Sequence, residues 1–496
     1  MGHTQYKWTV LTVTTVGVLM SGIDGRVMIV GLPTVAAALH ADAEQAIWFT
    51  QAYTIGSTVA LLFIGRVSDM FGKVKIYSAG FTIFTIGSVL TAISGSPNAF
   101  IAARMAQGLG SAALFANSAA IITDAFHTKE LGTALGINQI AFRAGGMAGL
   151  TLSGVILAFL AWPYLFYINV PIGIFGTVWA LRRLKDTGKP ERAAPMDWPG
   201  FVTFTVFITS LLLALTYAAY GIGVFWFAVA LFIASAVSLG LFIRLELHKE
   251  HPLLDLELLK IREFTGGIVT GLLNSVAWGS FMLIISLYLQ LVKGYSPFNA
   301  GVAILPFDAA FLALGPVSGR LSDKYGKRPF TTAGLAVISL ALFLSSTVGI
   351  STPYETIAFY LVIGGAGLGL FSSPNMSSVM GSVPAKRRAV ASALRATFFN
   401  IGYTISVNLV ILVMTLDLPL SRITQIISSI TPTALTVSER TAFAVAIDHV
   451  YIVMAVINAV AIVPNLLRGS RKEAEFEEAL PGPTASAVEH GAPSAP

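Results

Sequence analysis

The chain has 496 residues, of which 55% are hydrophobic and 11% charged, with a mean hydropathy of +0.76 and a formal charge of +6. Soluble domains carry about 25% charged residues, so a chain this apolar is an integral membrane protein. The absence of Cys excludes disulfides, thiol catalysis and thiolate metal sites, and the positive charge reads as a topology signal in loops rather than a nucleic-acid surface.

A spanning helix needs about 20 apolar residues. On that rule fourteen spans follow in order, at roughly 8–32, 46–66, 75–95, 99–124, 132–160, 163–182, 199–219, 222–244, 264–292, 298–319, 330–349, 356–380, 388–416 and 442–467. The first apolar stretch runs past signal-peptide length and is read as span 1. The tail from Arg471 to Pro496, rich in Ala, Glu, Pro and Gly, reads as disordered. With both termini placed in the cytoplasm, 24 of the 31 Lys and Arg fall on the inner side, 3 outside and 4 within spans. That bias is the one expected of a correctly threaded membrane protein, here in a plasma membrane.

Between spans 2 and 3 the chain reads Gly65-Arg66-Val67-Ser68-Asp69-Met70-Phe71-Gly72-Lys73. Between spans 10 and 11 it reads Gly319-Arg320-Leu321-Ser322-Asp323-Lys324-Tyr325-Gly326-Lys327. Gly, Arg, Ser, Asp, Gly and Lys recur at one spacing, as an internal duplication requires. Gly108-Leu109-Gly110 and Gly367-Leu368-Gly369 echo it. A charged, Gly-punctuated loop between two membrane-length helices resembles the signature of the major facilitator superfamily, and the fourteen-span layout resembles its drug:proton antiporter branch. The resemblance implies an all-α fold of two six-helix bundles plus an inserted pair. Residues 1–190 form the first bundle, 191–260 the inserted pair and its linkers, 261–470 the second bundle and 471–496 the tail. It also implies that the loops are conformational latches, built from Gly65, Arg66, Asp69, Gly72 and Lys73 and from Gly319, Arg320, Asp323, Gly326 and Lys327. Gly65 is expected to let span 2 pack closely, Gly72 to take a positive φ, and Asp69 to cap a helix or pair with an Arg.

Charges inside spans are costly and tend to be paired and functional. Span 1 carries Asp24-Gly25-Arg26 and ends in Leu32-Pro33, similar to the antiporter branch, although Arg26 and Ile29 stand where a hydroxyl residue and an Asn are usual. Span 4 carries Arg104-Met105-Ala106-Gln107-Gly108, similar to the family's Arg-x-x-Gln-Gly element implicated in proton transfer. By the helical rise, Asp24 lies about 12 Å and Arg104 about 8 Å from the outer ends of their spans. These depths overlap and predict a contact. Asp24, Arg104 and Asp308, the last in mid-span 10, are the candidates for proton coupling.

Span 5 holds Gly145-Gly146-Met147-Ala148-Gly149-Leu150-Thr151-Leu152-Ser153-Gly154, the branch's Gly-Pro element with Leu150 in place of its Pro and Ser153 in place of one Gly. The kink a proline gives is therefore lost. The substrate cavity is assigned Arg26, Gln107, Asn117, Asn138, Arg143, Asn274, Asn375, Arg395 and Asn400, because amides and guanidinium groups seldom face lipid. No phosphate-binding loop, metal cluster or nucleophile constellation occurs. The chain thus reads as no enzyme, with no cofactor. It is a monomer whose partners are protons, a small-molecule substrate and the bilayer. Export of amphipathic, drug-like compounds against protons is the first reading. A carrier specific for an organic anion or metabolite is the second, favoured by the surplus of arginines, and a non-transporting sensor is the third.

Overall fold

The computed structural model describes residues 3–126, 128–186, 197–218, 224–249, 254, 256–383, 388–419, 422–423 and 436–469. The tail from 471 onward lies outside them. Among the described residues all regular structure is helical. The first half comprises α1 (His3–Ala38), α2 (Ala43–Phe71), α3 (Lys73–Ala92), α4 (Pro97–Ala125), α5 (Thr128–Phe159), the short α6 (Tyr164–Tyr167) and α7 (Asn169–Arg183). Two helices follow, α8 (Trp198–Ala218) and α9 (Phe225–Glu246). The second half comprises α10 (Arg262–Trp278), α11 (Phe281–Leu287), α12 (Pro297–Tyr325), α13 (Lys327–Ser345), α14 (Tyr354–Gly381), α15 (Arg388–Met414), α16 (Val437–Val460) and α17 (Ile462–Leu467).

Among the described residues, twelve stretches are long and apolar enough to cross a membrane. The fourteen expected spans are thus met for twelve. The other two, α2 with 29 residues and α5 with 32, match them in length. Several of their side chains lie outside the described residues, and the apolar helix counted within α5 is the shorter Ala144–Phe159.

Helix starts on the face opposite the termini carry explicit caps. Asp42 and Gln45 form a capping box on α2, Thr436 and Glu439 another on α16. Ser96 before Pro97 and Ser296 before Pro297 cap α4 and α12. Each cap satisfies amide donors that a helix start leaves open. The duplication visible in the loops extends to packing: α2 and α3 both lie on α4, as α12 and α13 both lie on α14. The α8–α9 pair rests through α8 on α2 and α15, one helix from each half.

Toward the face opposite the termini, one apolar core runs through both halves. It takes Val27, Leu32, Phe49 and Leu150 from the first half and Phe281, Ile304, Met414 and Phe443 from the second. Gln290, in a π-helical turn at Tyr288–Val292, donates to the Val30 carbonyl across that seam at 3.3 Å. The bundles are therefore closed against each other on this side. Nearer the termini, the cluster around Val10, Tyr77, Phe81 and Leu184 belongs to the first half alone.

The glycines of the span 5 element make the α1–α5 contact. A Cβ on Gly145 would stand 2.3 Å from the Leu19 carbonyl oxygen, and one on Gly149 would stand 2.4 Å from that of Ile23. Gly154 faces the other half, where a Cβ would lie 2.7 Å from Phe298 Cα. Backbone cannot yield as a side chain does, so Gly149→Val is expected to cost about 3 kcal/mol by overpacking. The check is the thermal midpoint of the purified protein, which should fall while a substitution at exposed Ala144 leaves it unchanged.

Candidate functional site

The two duplicated loops have one backbone and different fastenings. Gly72 has φ 103° and Gly326 φ 93°, the left-handed region that favours glycine. At the first loop the cap of α3 comes from Asp186, which follows α7 and accepts the Val74 amide at 2.8 Å. From the sequence Asp69 is expected to cap a helix or pair with an Arg, and its side chain lies outside the described residues. Lys73 adds an ion pair to Asp124 on α4 at 2.7 Å. At the second loop Lys327 donates instead to the Ser377 carbonyl on α14 at 3.0 Å, and Arg320 and Asp323 are exposed. The expected close packing at Gly65 is not found: a Cβ there would meet nothing within 4 Å, whereas one on Gly319 would meet Ser373. The side chains of Arg66 and Asp69 lie outside the described residues. Gly72→Ala would meet both the unfavourable φ and the Asp186 carboxylate, 2.6 Å from the added Cβ. It is expected to lower stability by about 1–3 kcal/mol. Asp186→Ala is expected to cost about 1 kcal/mol through loss of the cap alone, and thermal unfolding of both variants checks the order.

Deeper in the first half, the predicted contact forms. Arg104 Nη1 donates to Asp24 Oδ2 at 2.6 Å, with the two side chains 1% and 0% exposed. Gln107 Nε2 donates to Asp24 Oδ1 at 2.7 Å and to Ser88 at 2.8 Å, and Gln107 Oε1 accepts from Arg104 at 2.7 Å. Asn169 Nδ2 donates to Asp24 Oδ1 at 2.9 Å. The Arg104 guanidinium also lies 4.5 Å from the Tyr53 ring centre and donates through Nε to the Phe49 carbonyl. One carboxylate thus gathers donors from α4 and α7, in a network that reaches α3. Arg104 and Gln107 meet because residues three apart share a helix face. Asn169 went unassigned; its one signal in the sequence is an amide in an otherwise apolar stretch.

Arg26 stands two positions after Asp24, so the helical period turns it to the other side of α1. There it reaches Asp308 on α12 at 3.2 Å, with the arginine side chain 27% exposed and the aspartate 4%. Gly146 makes room for it: a Cβ there would crowd the Arg26 Cδ and Nε at 3.1 Å. This ion pair crosses from one half to the other. Beside it Trp278 stacks on Phe281 and Phe307, with centroids 4.1 Å and 5.3 Å apart. Between α10 and α11 the helix breaks at Gly279-Ser280, where Ser280 donates to Ser406 of α15.

The remaining amides are mostly engaged within one half. Asn117 donates to its own helix at Ala113, and Asn138 accepts from Ser118, tying α5 to α4. Asn274 donates to Asn458, which holds Leu335 and Ser339 of α13. Asn375 accepts from Arg468, whose other nitrogen donates to Thr331. Asn400 and Arg395 stand half-buried on α15. The Arg143 side chain lies outside the described residues.

The fold agrees with comparisons to known proteins. Residues 14–407 match the Major Facilitator Superfamily. The chain is 31% identical over 401 residues to the riboflavin transporter RibZ of Clostridioides difficile, covering 81% of this chain and 87% of that one. It is 30% identical over 402 residues to the multidrug resistance protein Stp of Mycobacterium tuberculosis, covering 80% and 73%. A crystal structure of a bacterial homologue of the lysosomal transporter Spinster, inward-facing and occupied, superposes with a TM-score of 0.64 at 15% identity, covering 93% and 97%. The chain belongs to the Major Facilitator Superfamily and is a multi-pass membrane transporter of small molecules, not an enzyme.

Proposed function

We propose that this protein is a proton-coupled antiporter that exports amphipathic, drug-like compounds by alternating access. The observation that carries the reading is the Arg26–Asp308 ion pair, because it is made between the two halves and at membrane depth. In the state described here the halves meet on the face opposite the termini, taken as the outer face, and Asp308 has a counter-charge. Opening that face pulls α1 from α12 and strips Asp308 of it. A carboxyl left in a poorly solvated site without its cation binds protons more tightly. It then loads a proton from outside, and re-forming the pair releases it inward after the cycle turns. Asp24, Arg104 and Gln107 form a second coupling element within the first bundle, where three donors hold the carboxylate ready. The names of relatives such as Stp support export of foreign compounds.

In this reading α2 and α5 complete fourteen spans. Residues 1–190 and 261–470 are the rocking bundles, and α8–α9 bridges their seam. The two glycine loops latch the cytoplasmic face, both termini lie in the cytoplasm, and a monomer in the plasma membrane suffices. Arg26, Arg395 and Asn400 face the path of the substrate, whereas Gln107, expected there from the sequence, is fully buried against Asp24, Ser88 and Arg104. The test uses proteoliposomes and rhodamine 6G. An imposed pH gradient is expected to drive dye accumulation that collapses when the gradient is dissipated, and accumulation that persists without a gradient would refute proton coupling.

A further inference from the structure

Of the arginines inside spans whose side chains are described, Arg26 and Arg104 each hold an aspartate, and Arg395 does not. Its Nε is buried without an acceptor, and no hydrogen bond or ion pair reaches its guanidinium among the described residues. A charge at membrane depth with no protein partner is costly and marks a place where another anion sits.

The surroundings say what kind of anion. Arg395, Phe399 and Tyr403 occupy positions i, i+4 and i+8 of α15, one stripe of the helix. Ala396, next in sequence, packs with Ala60, Ile64, Ala112 and Ala113 of α2 and α4. At the other end Tyr403 is an electrostatic neighbour of Arg26 and Arg104. The stripe therefore lies beside the face of α15 that packs on the first half. Phe399, in the middle of it, is 47% exposed. We propose that this stripe is a subsite for an aromatic anion. The planar body lies on Phe399, and a carboxylate or phosphate docks on the Arg395 fork, which suits two-oxygen acceptors. The proposal rests on the transport reading and narrows it, because it gives the cargo a negative group about two helical turns from Tyr403.

Fluorescein and rhodamine 6G share a xanthene ring and differ in charge, so they separate the anion contact from stacking. Binding of each dye to the purified full chain is measured for the unsubstituted protein, R395Q, R395K and F399A. Fluorescein Kd is expected to rise at least tenfold in R395Q and much less in R395K, while rhodamine 6G binds R395Q no more weakly. F399A is expected to weaken both dyes alike, which keeps the stripe testable if R395Q does not fold. Equal effects of R395Q on both dyes, or no fluorescein binding by the unsubstituted protein, would overturn the subsite. Counterflow separates the two claims: binding that depends on Arg395 with no dye movement defeats the transport reading and leaves the subsite standing.

Discussion

Asp308→Asn is expected to abolish pH-driven accumulation of rhodamine 6G, by more than tenfold, while dye exchange without a gradient persists. The substitution keeps the shape of the side chain and removes its charge and its proton. Arg26 then loses the carboxylate it meets at 3.2 Å, and the cross-bundle tie is reduced to a hydrogen bond from the guanidinium to an uncharged amide. Two consequences follow. No group remains at this position to load and release a proton, and the closed outer face loses one of its fastenings. The second can be read directly, because the chain has no cysteine and any introduced thiol is the sole one. Ala46 lies in the apolar core joining the halves and is 2% exposed. A cysteine there is expected to resist a membrane-impermeant thiol reagent in the otherwise unsubstituted protein and to react several-fold faster beside Asp308→Asn. Accumulation that survives the substitution would remove Asp308 from coupling, whatever the labelling shows.

Asp24→Asn is expected to have the largest effect on stability. Its partner Arg104 is 1% exposed and would be left as an uncompensated charge in the first bundle. Breaking a buried pair from one side costs about 3–5 kcal/mol, less whatever Asn recovers by accepting from Gln107 and Asn169. The double substitution Asp24→Asn with Arg104→Gln removes both charges and is expected to regain most of that loss. Pairwise coupling of this kind appears as non-additivity in a double-mutant cycle. Transport separates the two roles. If the pair merely holds the bundle together, the stable double variant moves dye under a pH gradient. If it is a coupling element, the double variant folds and does not.

The Asp24–Arg104 contact was legible because depth in a membrane is a coordinate that residue counting supplies: two charges at one level in one bundle have few other places to go. The duplicated loops were legible for a different reason, since glycines at positive φ admit few substitutes and so preserve their spacing. The Arg26–Asp308 pair was not legible. It depends on how two bundles are docked, and nothing local to Asp24-Gly25-Arg26 says that the second charge crosses the cleft while the first turns inward. Nor could spacing find Asp186 beneath Gly72, because that contact closes over more than a hundred residues. The amides assigned to the cavity show the opposite error. An Asn in an apolar helix must satisfy its polar atoms: Asn274 donates to Asn458, and Asn375 donates to the Gly267 carbonyl and accepts from Arg468, all within the second half. Span counting reached the helices themselves, and twelve of its fourteen are met by length and apolarity among the described residues.

The exchange of protons for cargo is tested most directly by reversing it. Proteoliposomes preloaded with rhodamine 6G are diluted into weakly buffered, dye-free medium with no imposed pH gradient, and medium pH is followed with an electrode. Dye leaving through an antiporter must draw protons in, so the medium is expected to turn alkaline in step with efflux, and to stop doing so in Asp308→Asn. Efflux through the unsubstituted protein at constant medium pH would contradict the account.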